Sequence, residues 1–234
     1  MRIAIIPARG GSKRIPGKNI RDFLGKPMLH WAVAAARDSG LFEHIVVSTD
    51  SREIAEEAVK AGAEVPFMRP AGLADDHALT RDVVNHAIKE CMPIYGGFDQ
   101  CCCIYGTSPF LSADDLSSAL NILQTEQVPF VFSATAYPFP IQRAFFTDGD
   151  GSLQMFHPEH AKTRSQDLIP AYHDAGMFYW GQRHAFLENQ PMFAGSSRAY
   201  LIPSHRVCDL DTPEDWERAE WMMKAKQLAA NTHA

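Results

Sequence analysis

The sequence predicts an α/β protein with a doubly wound, mostly parallel sheet and an inserted extended arm. Short apolar segments alternate with segments of helical periodicity through the first half of the chain, a pattern typical of strands joined by crossover helices. The alternation stops at Pro138 and resumes near Pro170, which indicates a segment outside the sheet. Hydrophobic residues make up 46% of the 234 residues, enough to fill the core of one large domain.

The apolar segments predict strands and the segments between them predict helices. The strands are RIAIIP (2–7), HIVVSTD (44–50), EVPFMRP (64–70), QCCCIYG (100–106) and FVFSATAY (130–137). The first three helices lie in PMLHWAVAAARDSG (27–40), SREIAEEAVKAG (51–62) and RDVVNHAIKEC (81–91). Gly40 and Gly62 are suited to the residue just after a helix, because glycine readily adopts the left-handed conformation found there.

Two further helices have starts that are marked by capping residues. Ser112 is followed three residues later by Asp115, which is the arrangement of a capping box. Thr212 can cap the final helix, with Pro213 at its first position and Asp215 at its third. These residues predict a helix after the TSPF loop and a last helix in TPEDWERAEWMMKAKQLAA (212–230).

The segment from Pro138 to about Pro170 predicts an arm that leaves the core. It contains two extended segments around Asp148 and Gly149, a dipeptide typical of a hairpin turn. The chain then returns through MFYW (177–180), a helix near RHAFLEN (183–189) and a strand at RAYLIP (198–203). We therefore expect a single domain over residues 1–234, with an arm at about residues 138–170.

The charge and the cysteine content argue against several classes of protein. The formal net charge is −6, whereas a nucleic-acid or anionic-membrane surface needs an extended positive field. The five cysteines show no Cys-x-x-Cys spacing, so neither a disulfide framework nor a zinc site is predicted. The sequence has neither the pattern of a secretion signal nor an apolar run long enough to span a bilayer, so we expect a soluble cytoplasmic protein.

The loop after the first predicted strand combines glycines with cationic residues. Gly10 and Gly11 let the backbone approach an anion, and Ser12 adds a hydrogen-bond donor. The cations of the loop are Arg9, Lys13, Arg14 and Lys18. The spacing fits neither a P-loop nor the G-x-G-x-x-G dinucleotide fingerprint. The loop predicts a polyphosphate site, with a solvated basic turn as the alternative.

Asp209 and Asp211 lie between a predicted strand and the final helix. In an extended chain, side chains two residues apart point to the same side, so both carboxylates can converge on one cation. Magnesium binds few carboxylates together with water and phosphate oxygens. The pair predicts a Mg²⁺ site, and a purely structural pair at the start of a helix is the alternative.

Six motifs occur in a fixed order over nearly the whole chain: IIPARGGSKRIPGKNI, VVSTDS, RPAGLADDHALT, TSPF, SQDLIPAYHDAGMFYW and CDLDTPEDW. Together they resemble the CMP-sialic acid synthetase family of cytidylyltransferases. The resemblance implies a fold of the nucleotide-diphospho-sugar transferase type and an enzyme that uses CTP and a nine-carbon 2-keto sugar acid and releases pyrophosphate. DAGMFYWG and YPFPIQRAFF are most similar to the branch that makes CMP-pseudaminic acid. The resemblance also implies a homodimer in which the arm is exchanged between subunits.

The resemblance implies roles for the residues at matching positions. The nucleotide-binding residues are Ala8, Arg9, Gly10, Gly11, Ser12, Lys18, Asn19, Arg69 and Thr80. The magnesium ligands are Asp209 and Asp211, which together with Arg9 and Lys18 form the catalytic set. The sugar-binding residues are Tyr105, Thr107, Arg143, Arg164, Gln166 and Asp174. Tyr105-Gly106 and Asp174-Ala175-Gly176 depart from the Gln-Pro and Asn-Gly-Ala of sialic acid synthetases, which favours the pseudaminic branch.

Three alternatives stay open. A cytidylyltransferase for N-acetylneuraminic, legionaminic or another sugar acid is the nearest of them. A glycosyltransferase would also use an Asp-x-Asp pair, although the basic first loop favours a triphosphate. A non-catalytic nucleotide-binding subunit would tolerate loss of the Asp pair, whereas Asp209 and Asp211 are both present.

Overall fold

The computed structural model describes residues 1–75 and 78–232, so Asp76 and His77 of the RPAGLADDHALT motif lie outside the described residues. The helices are α1 (Met28–Asp38), α2 (Arg52–Ala61), α3 (Thr80–Tyr95), α4 (Ala113–Thr125), α5 (Arg183–Leu187) and α6 (Pro213–Thr232). The strands are β1 (Arg2–Pro7), β2 (Asp22–Phe23), β3 (Lys26–Pro27), β4 (His44–Ser48), β5 (Gln100–Ile104), β6 (Phe130–Ala136), β7 (Phe145–Thr147), β8 (Leu153–Met155), β9 (Tyr172–Gln182) and β10 (Arg198–Leu201). Within the described ranges, no helix combines the length and apolar character needed to cross a membrane.

Six of the strands form one mixed sheet in the order β10-β6-β9-β5-β1-β4. β1 pairs with β4 and β5 in parallel, and β10 pairs with β6 in parallel. β9 lies between β5 and β6 and runs antiparallel to both. The predicted α/β fold with a mostly parallel sheet is therefore confirmed.

Helices cover both faces of this sheet. Because side chains alternate along a strand, Ala4 and Ile6 of β1 pack into one hydrophobic layer, whereas Ile3 and Ile5 pack into the other. The first layer includes residues of α1, α2, α4 and α6, and the second includes residues of α3 and α5. The cysteines of β5 are buried free thiols, and burial raises the pKa of Cys103 to about 12. They serve as small apolar side chains in the sheet.

The two predicted helix starts have the expected caps. Ser112 Oγ accepts from Asp115 N at 3.3 Å, and Asp115 Oδ2 accepts from Ser112 N at 3.0 Å, which completes a capping box for α4. Thr212 Oγ1 accepts from Asp215 N at 3.2 Å, and Asp215 Oδ2 accepts from Thr212 N at 2.9 Å. The second arrangement fixes the start of α6 directly after the Asp209-Asp211 pair.

The prediction of a strand at EVPFMRP is wrong, because residues 64–70 make only a single bridge to the sheet. Glu64 N donates to Ile45 O at 2.7 Å, and Val47 N donates to Glu64 O at 2.9 Å. Pro66 has no N–H to continue this ladder, so the pairing ends after one residue. The chain next contacts the end of β4 at Arg69, where Arg69 N donates to Thr49 O at 2.7 Å.

The segment after Pro138 contains a separate two-stranded sheet, in which β7 and β8 form an antiparallel hairpin. Asp148 N donates to Ser152 O at 2.9 Å, and the left-handed turn residue is Gly151 (φ +86°) instead of Gly149. Large apolar side chains on either side of the hairpin are exposed, with Phe139 at 79% and Ile169 at 80%. An apolar surface of this kind favours contact with another protein chain.

Candidate active site

Two adjoining cavities open at the carboxyl ends of β1 and β5. The first cavity has a volume of about 480 Å³ and the second a volume of about 780 Å³. Lys18, Tyr105 and Thr107 line both of them. Ligands of open α/β sheets bind beyond the carboxyl ends of the strands, so this is the expected edge for a nucleotide site.

The first cavity brings together most of the residues that were predicted to bind the nucleotide: Arg9, Ser12, Lys18, Asn19, Arg69 and Thr80. The remaining three, Ala8, Gly10 and Gly11, belong to the same loop but do not line the cavity. Gly10 N donates to Asp50 Oδ1 at 2.9 Å, and Ser12 N donates to Gly10 O at 2.9 Å. The first of these hydrogen bonds holds the loop against the carboxyl end of β4, and the second lies within the loop.

Asn19 and Gly106 together fix the base of this loop. Asn19 Nδ2 donates to Arg9 O at 3.0 Å, and Asn19 is nearly buried. A Cβ atom at Gly106 would lie 2.9 Å from Asn19 Oδ1 and 3.2 Å from Leu29 Cδ1. The absence of a side chain at position 106 therefore makes room for the asparagine that holds Arg9.

We expect Gly106→Ala to weaken the binding of a polyphosphate ligand in the first cavity about tenfold, because overpacking of about 1–3 kcal/mol would displace Asn19 and with it Arg9. Calorimetry with a nucleoside triphosphate measures this change. Gly97→Ala is the matched control, since a Cβ atom at Gly97 meets nothing within 4 Å. An equal affinity in the two variants would contradict this role of Gly106.

Lys18 connects the first loop to the Asp pair. Lys18 Nζ donates to Leu210 O at 2.7 Å and lies 3.9 Å from Asp211 Oδ1. Burial lowers the pKa of Lys18, and the carboxylates of Asp211 and Asp209 oppose that shift. The ammonium group thus lies between the basic first loop and the two carboxylates, at the boundary of the cavities.

Asp209 and Asp211 both line the second cavity, on the short segment that precedes α6. Burial raises the pKa of Asp209, and the neighbouring charge of Asp211 adds to the shift. Arg14 Nη1 lies 2.7 Å from Asp211 Oδ2. Two carboxylates that repel each other are an environment that a bound cation would stabilise.

The donor set fits magnesium but not a metal that is held entirely by protein side chains. In the part of the chain that the structure describes, no group of three or more His, Cys, Asp or Glu side chains could hold a metal ion. Magnesium is commonly bound by one or two carboxylates and completes its octahedron with water and substrate phosphates. Asp209 and Asp211 beside the basic first loop match that mode of binding.

Arg69 and Thr80 lie on the far side of the first cavity. The Arg69 guanidinium is buried and donates from Nε to Ser48 Oγ at 3.1 Å and from Nη2 to Ser48 O. Burial lowers the pKa of Arg69. Thr80 Oγ1 lies 3.0 Å from Tyr105 Oη, which links the start of α3 to the wall between the cavities.

The second cavity contains Tyr105, Thr107 and Asp174, which were predicted to bind the sugar. Asp174 Oδ1 accepts from Gly176 N at 2.8 Å, and Asp174 Oδ2 accepts from the Tyr179 hydroxyl at 2.5 Å. Burial raises the pKa of Tyr179, with further contributions from Tyr105 and from the Asp174 carboxylate. The Tyr179 hydroxyl therefore remains a donor and holds the Asp174 carboxylate in place.

Two residues that sequence reasoning did not assign to the site, Tyr179 and Arg218, also line this cavity. Arg218 Nη2 donates to Asp215 Oδ1 at 2.8 Å and lies 3.6 Å from Cys208 Sγ. Arg218 lies three residues, about one turn of α6, after Asp215, so the helical periodicity after Thr212 was the signal that could have identified it.

Arg143, Arg164 and Gln166 do not line either cavity within one chain. Arg143 lies in the arm, where Nη1 donates to Ser165 Oγ at 3.4 Å. Arg164 forms an exposed ion pair in which Nε lies 2.7 Å from Asp167 Oδ2, and Gln166 is also exposed. A single chain thus keeps these three predicted sugar ligands apart from the other site residues.

Comparison with known proteins identifies the family. Residues 3–229 match a family model described as cytidylyltransferase. The chain belongs to the cytidylyltransferase family. The match spans both cavities and the Asp pair, so these features belong to a nucleotidyltransferase.

Individual cytidylyltransferases that resemble the chain act on different sugar acids. Pseudaminic acid cytidylyltransferase of Campylobacter jejuni is 44% identical over 97% of this chain and 98% of its own length. CMP-N,N'-diacetyllegionaminic acid synthase of Legionella pneumophila is 34% identical over 97% of this chain and 98% of its own length. A solved structure of CMP:2-keto-3-deoxy-manno-octonic acid synthetase in complex with CTP has a TM-score of 0.71 and 18% identity, covering 96% of this chain and 99% of that chain. That structure supports the fold.

Proposed function

We propose that this cytidylyltransferase transfers CMP from CTP to pseudaminic acid, a nine-carbon 2-keto sugar acid, and releases pyrophosphate. The observation that carries the proposal is the junction of two cavities at Lys18, with a basic loop on one side and two carboxylates on the other. CTP fits the first cavity and the sugar acid fits the second. The 44% identity to a pseudaminic acid cytidylyltransferase supports this sugar acid over its isomers.

The reaction is an in-line displacement at phosphorus. The C2 hydroxyl of the sugar acid attacks the α-phosphorus of CTP and loses its proton to solvent, while the bond to the bridging oxygen breaks and pyrophosphate leaves. Negative charge accumulates on the phosphoryl oxygens and the leaving group, so catalysis depends on positioning and on electrostatic stabilisation. Arg9 and Lys18 line the first cavity and stabilise the departing pyrophosphate.

Asp209 and Asp211 would hold Mg²⁺ in this enzyme. When bound, the ion polarises the α-phosphate and favours ionisation of the attacking hydroxyl. The chain itself supplies the two carboxylates and keeps Lys18 beside them through the bond to Leu210 O. Thr107 lines both cavities, which supports a contact with the phosphate or the sugar acid.

Pyrophosphate release with CTP and Mg²⁺ tests the proposal, with pseudaminic, legionaminic and N-acetylneuraminic acids compared in parallel. ATP, GTP and UTP are the nucleotide controls. Release with CTP and pseudaminic acid is the expected result. Release only with another sugar acid would support the proposed reaction but show that pseudaminic acid is not the substrate. No release with any pair would contradict the proposed reaction.

We further propose a cytoplasmic homodimer in which the arm of one subunit completes the sugar site of the other. The exposed Phe139 and Ile169 support this, since they give the arm an apolar surface that the described part of the chain leaves open to contact. Arg164 is also on the arm and would then face the partner's second cavity. Its bidentate guanidinium suits the carboxylate of the sugar acid.

Arg164→Lys is therefore expected to raise the KM for the sugar acid about tenfold and to leave the KM for CTP nearly unchanged, because lysine cannot form the bidentate pair. Arg198→Lys is the matched control, as Arg198 forms a comparable exposed ion pair with Glu126 outside the site. An unchanged KM for the sugar acid in Arg164→Lys would rule out this contact.

Mixing two inactive variants tests the sharing of sites between subunits. Asp211→Asn inactivates the site in its own subunit, whereas Arg164→Ala would inactivate the site of its partner. A mixed dimer then contains one site with both defects and one intact site, so mixing should restore activity. If both residues act in the same subunit, mixing restores nothing.

A further inference from the structure

Arg14 belongs to the phosphate-binding loop and lines the first cavity, yet it contacts the Asp pair. Arg14 Nη1 lies 2.7 Å from Asp211 Oδ2, closer than Lys18 Nζ, which is 3.9 Å from Asp211 Oδ1. The Arg14 side chain is 69% exposed and the Asp211 side chain is 34% exposed. The pair is thus accessible to solvent and to any ligand that enters either cavity.

Two cations cannot both make full use of the same carboxylate. The Arg14 guanidinium lies 2.7 Å from Asp211 Oδ2, so a divalent ion bound by Asp211 would repel it. Metal binding and the Arg14–Asp211 ion pair therefore oppose each other. An exposed ion pair of this kind is weak, so a metal ion can displace it. The displaced guanidinium then needs another anion within reach of the first cavity.

The polyphosphate of a nucleotide in the first cavity supplies that anion. Arginine pairs with phosphate in a bidentate manner, which makes the phosphates a better partner than one exposed carboxylate oxygen. Lys18 stays attached to Leu210 O at 2.7 Å and has less freedom to exchange partners. Of the two cations beside Asp211, Arg14 is the one that can change partner.

We propose that Arg14 pairs with Asp211 in the free enzyme and moves to the nucleotide phosphates when the metal and the nucleotide bind. Arg14 is then a nucleotide-binding residue in the complex and an internal counterion for Asp211 in its absence. The inference rests on the proposed function in one respect, namely that the Asp pair binds the metal. The exchange predicts that loss of Arg14 strengthens metal binding and weakens nucleotide binding.

Two binding measurements without sugar acid test this inference, so that no turnover takes place. Electron paramagnetic resonance measures Mn²⁺ affinity in the nucleotide-free protein, and calorimetry measures CTP affinity in the presence of Mg²⁺. Arg14→Gln should bind Mn²⁺ about two- to fivefold more tightly, because the competing ion pair is lost. The same variant should bind CTP about tenfold more weakly, because a charge-assisted contact to phosphate is lost.

Arg21→Gln and Arg14→Lys are the control variants. Arg21 follows Arg14 by seven residues in the chain; its guanidinium lies 4.8 Å from the centre of the Trp216 ring, and it lines neither cavity. Its loss should leave the affinities for Mn²⁺ and CTP unchanged, so an equal gain in Mn²⁺ affinity would overturn the inference in favour of a general effect of charge. Arg14→Lys keeps the charge and should restore the wild-type Mn²⁺ affinity, with CTP affinity between those of the wild type and Arg14→Gln.

The outcomes separate this inference from the proposed function. Asp211→Asn should lose Mn²⁺ binding, and if it binds Mn²⁺ like the wild type, the metal site of the proposed function and the exchange both fail. If Asp211→Asn loses Mn²⁺ binding but Arg14→Gln does not bind Mn²⁺ more tightly than the wild type, only the exchange is overturned. An unchanged CTP affinity in Arg14→Gln also overturns it.

Discussion

Asp211→Asn is expected to reduce kcat by about 10²- to 10³-fold, the range observed when one group that stabilises transition-state charge is removed. The substitution keeps the size of the side chain but removes one of the two negative charges of the Asp209-Asp211 pair, which lines the second cavity. Metal affinity falls, and Lys18 and Arg14 both lose their partner carboxylate. Pyrophosphate release at saturating CTP, sugar acid and Mg²⁺ measures the effect.

Asp211→Asn should leave the stability of the folded protein close to that of the wild type. The charge of Asp211 helps to raise the pKa of Asp209, so removing it relieves repulsion between the two carboxylates. The ion pairs that are lost are partly exposed and contribute only about 0–1 kcal/mol each. We expect Tm to change little while kcat falls steeply.

Glu214→Gln is the matched control for Asp211→Asn. Glu214 is an exposed carboxylate in the first turn of α6, three residues from Asp211, and it lines neither cavity. Its loss removes the same charge from the same segment and should change neither kcat nor Tm appreciably. If Asp211→Asn retained turnover comparable to Glu214→Gln, the assignment of the metal site would be wrong.

The sheet could be predicted from local patterns, but its strand order could not. Segment MFYW was expected to return the chain to the core, and it does so as part of β9. β9 enters between β5 and β6 and is antiparallel to both. Direction and neighbours depend on where the chain re-enters after the arm, and the apolar pattern of one segment contains no such information.

The sequence could single out the first loop and the Asp pair as candidates because each is a local cluster with its own chemistry, and the structure brings them to two adjoining cavities. The contact between Asp174 and Tyr179 could not, since it depends on an irregular strand. Asp174 pairs with Ala134 and Tyr179 pairs with Phe132, so β9 has more residues between these positions than β6 has. Gly176 adopts a φ of +60° within that interval. The bulge brings together two side chains whose spacing in sequence does not predict contact.

The structure of one chain does not bring the predicted sugar-binding residues of the arm to the two cavities. Arg143, Arg164 and Gln166 were predicted from resemblance, and one chain does not bring them to the cavities. Their role stays a prediction that depends on a second subunit. The mixed-dimer experiment tests it directly, because no property of a single chain can decide it.

Lys18→Met should have an effect on kcat similar to that of Asp211→Asn, about 10²- to 10³-fold, because it removes charge stabilisation from the point where the cavities meet. Methionine keeps an unbranched side chain of similar length but has no donor for Leu210 O and no charge for the phosphates. Unlike Asp211→Asn, it should also weaken CTP binding when no metal is present. Calorimetry with CTP in the presence of EDTA measures that difference.

Lys26→Met is the control for the loss of a lysine. Lys26 is also a partly buried lysine with a lowered pKa, but its ammonium lies 3.7 Å from the centre of the Trp31 ring, away from both cavities. The cation–π contact is worth about 0.5–1 kcal/mol at such a site, so this variant should lose a little stability and no kcat. Lys18→Met should instead lose kcat with little loss of stability. If both variants lost stability alike and neither lost turnover, Lys18 would be a structural link between the first loop and the Asp pair, without a role in stabilising the triphosphate.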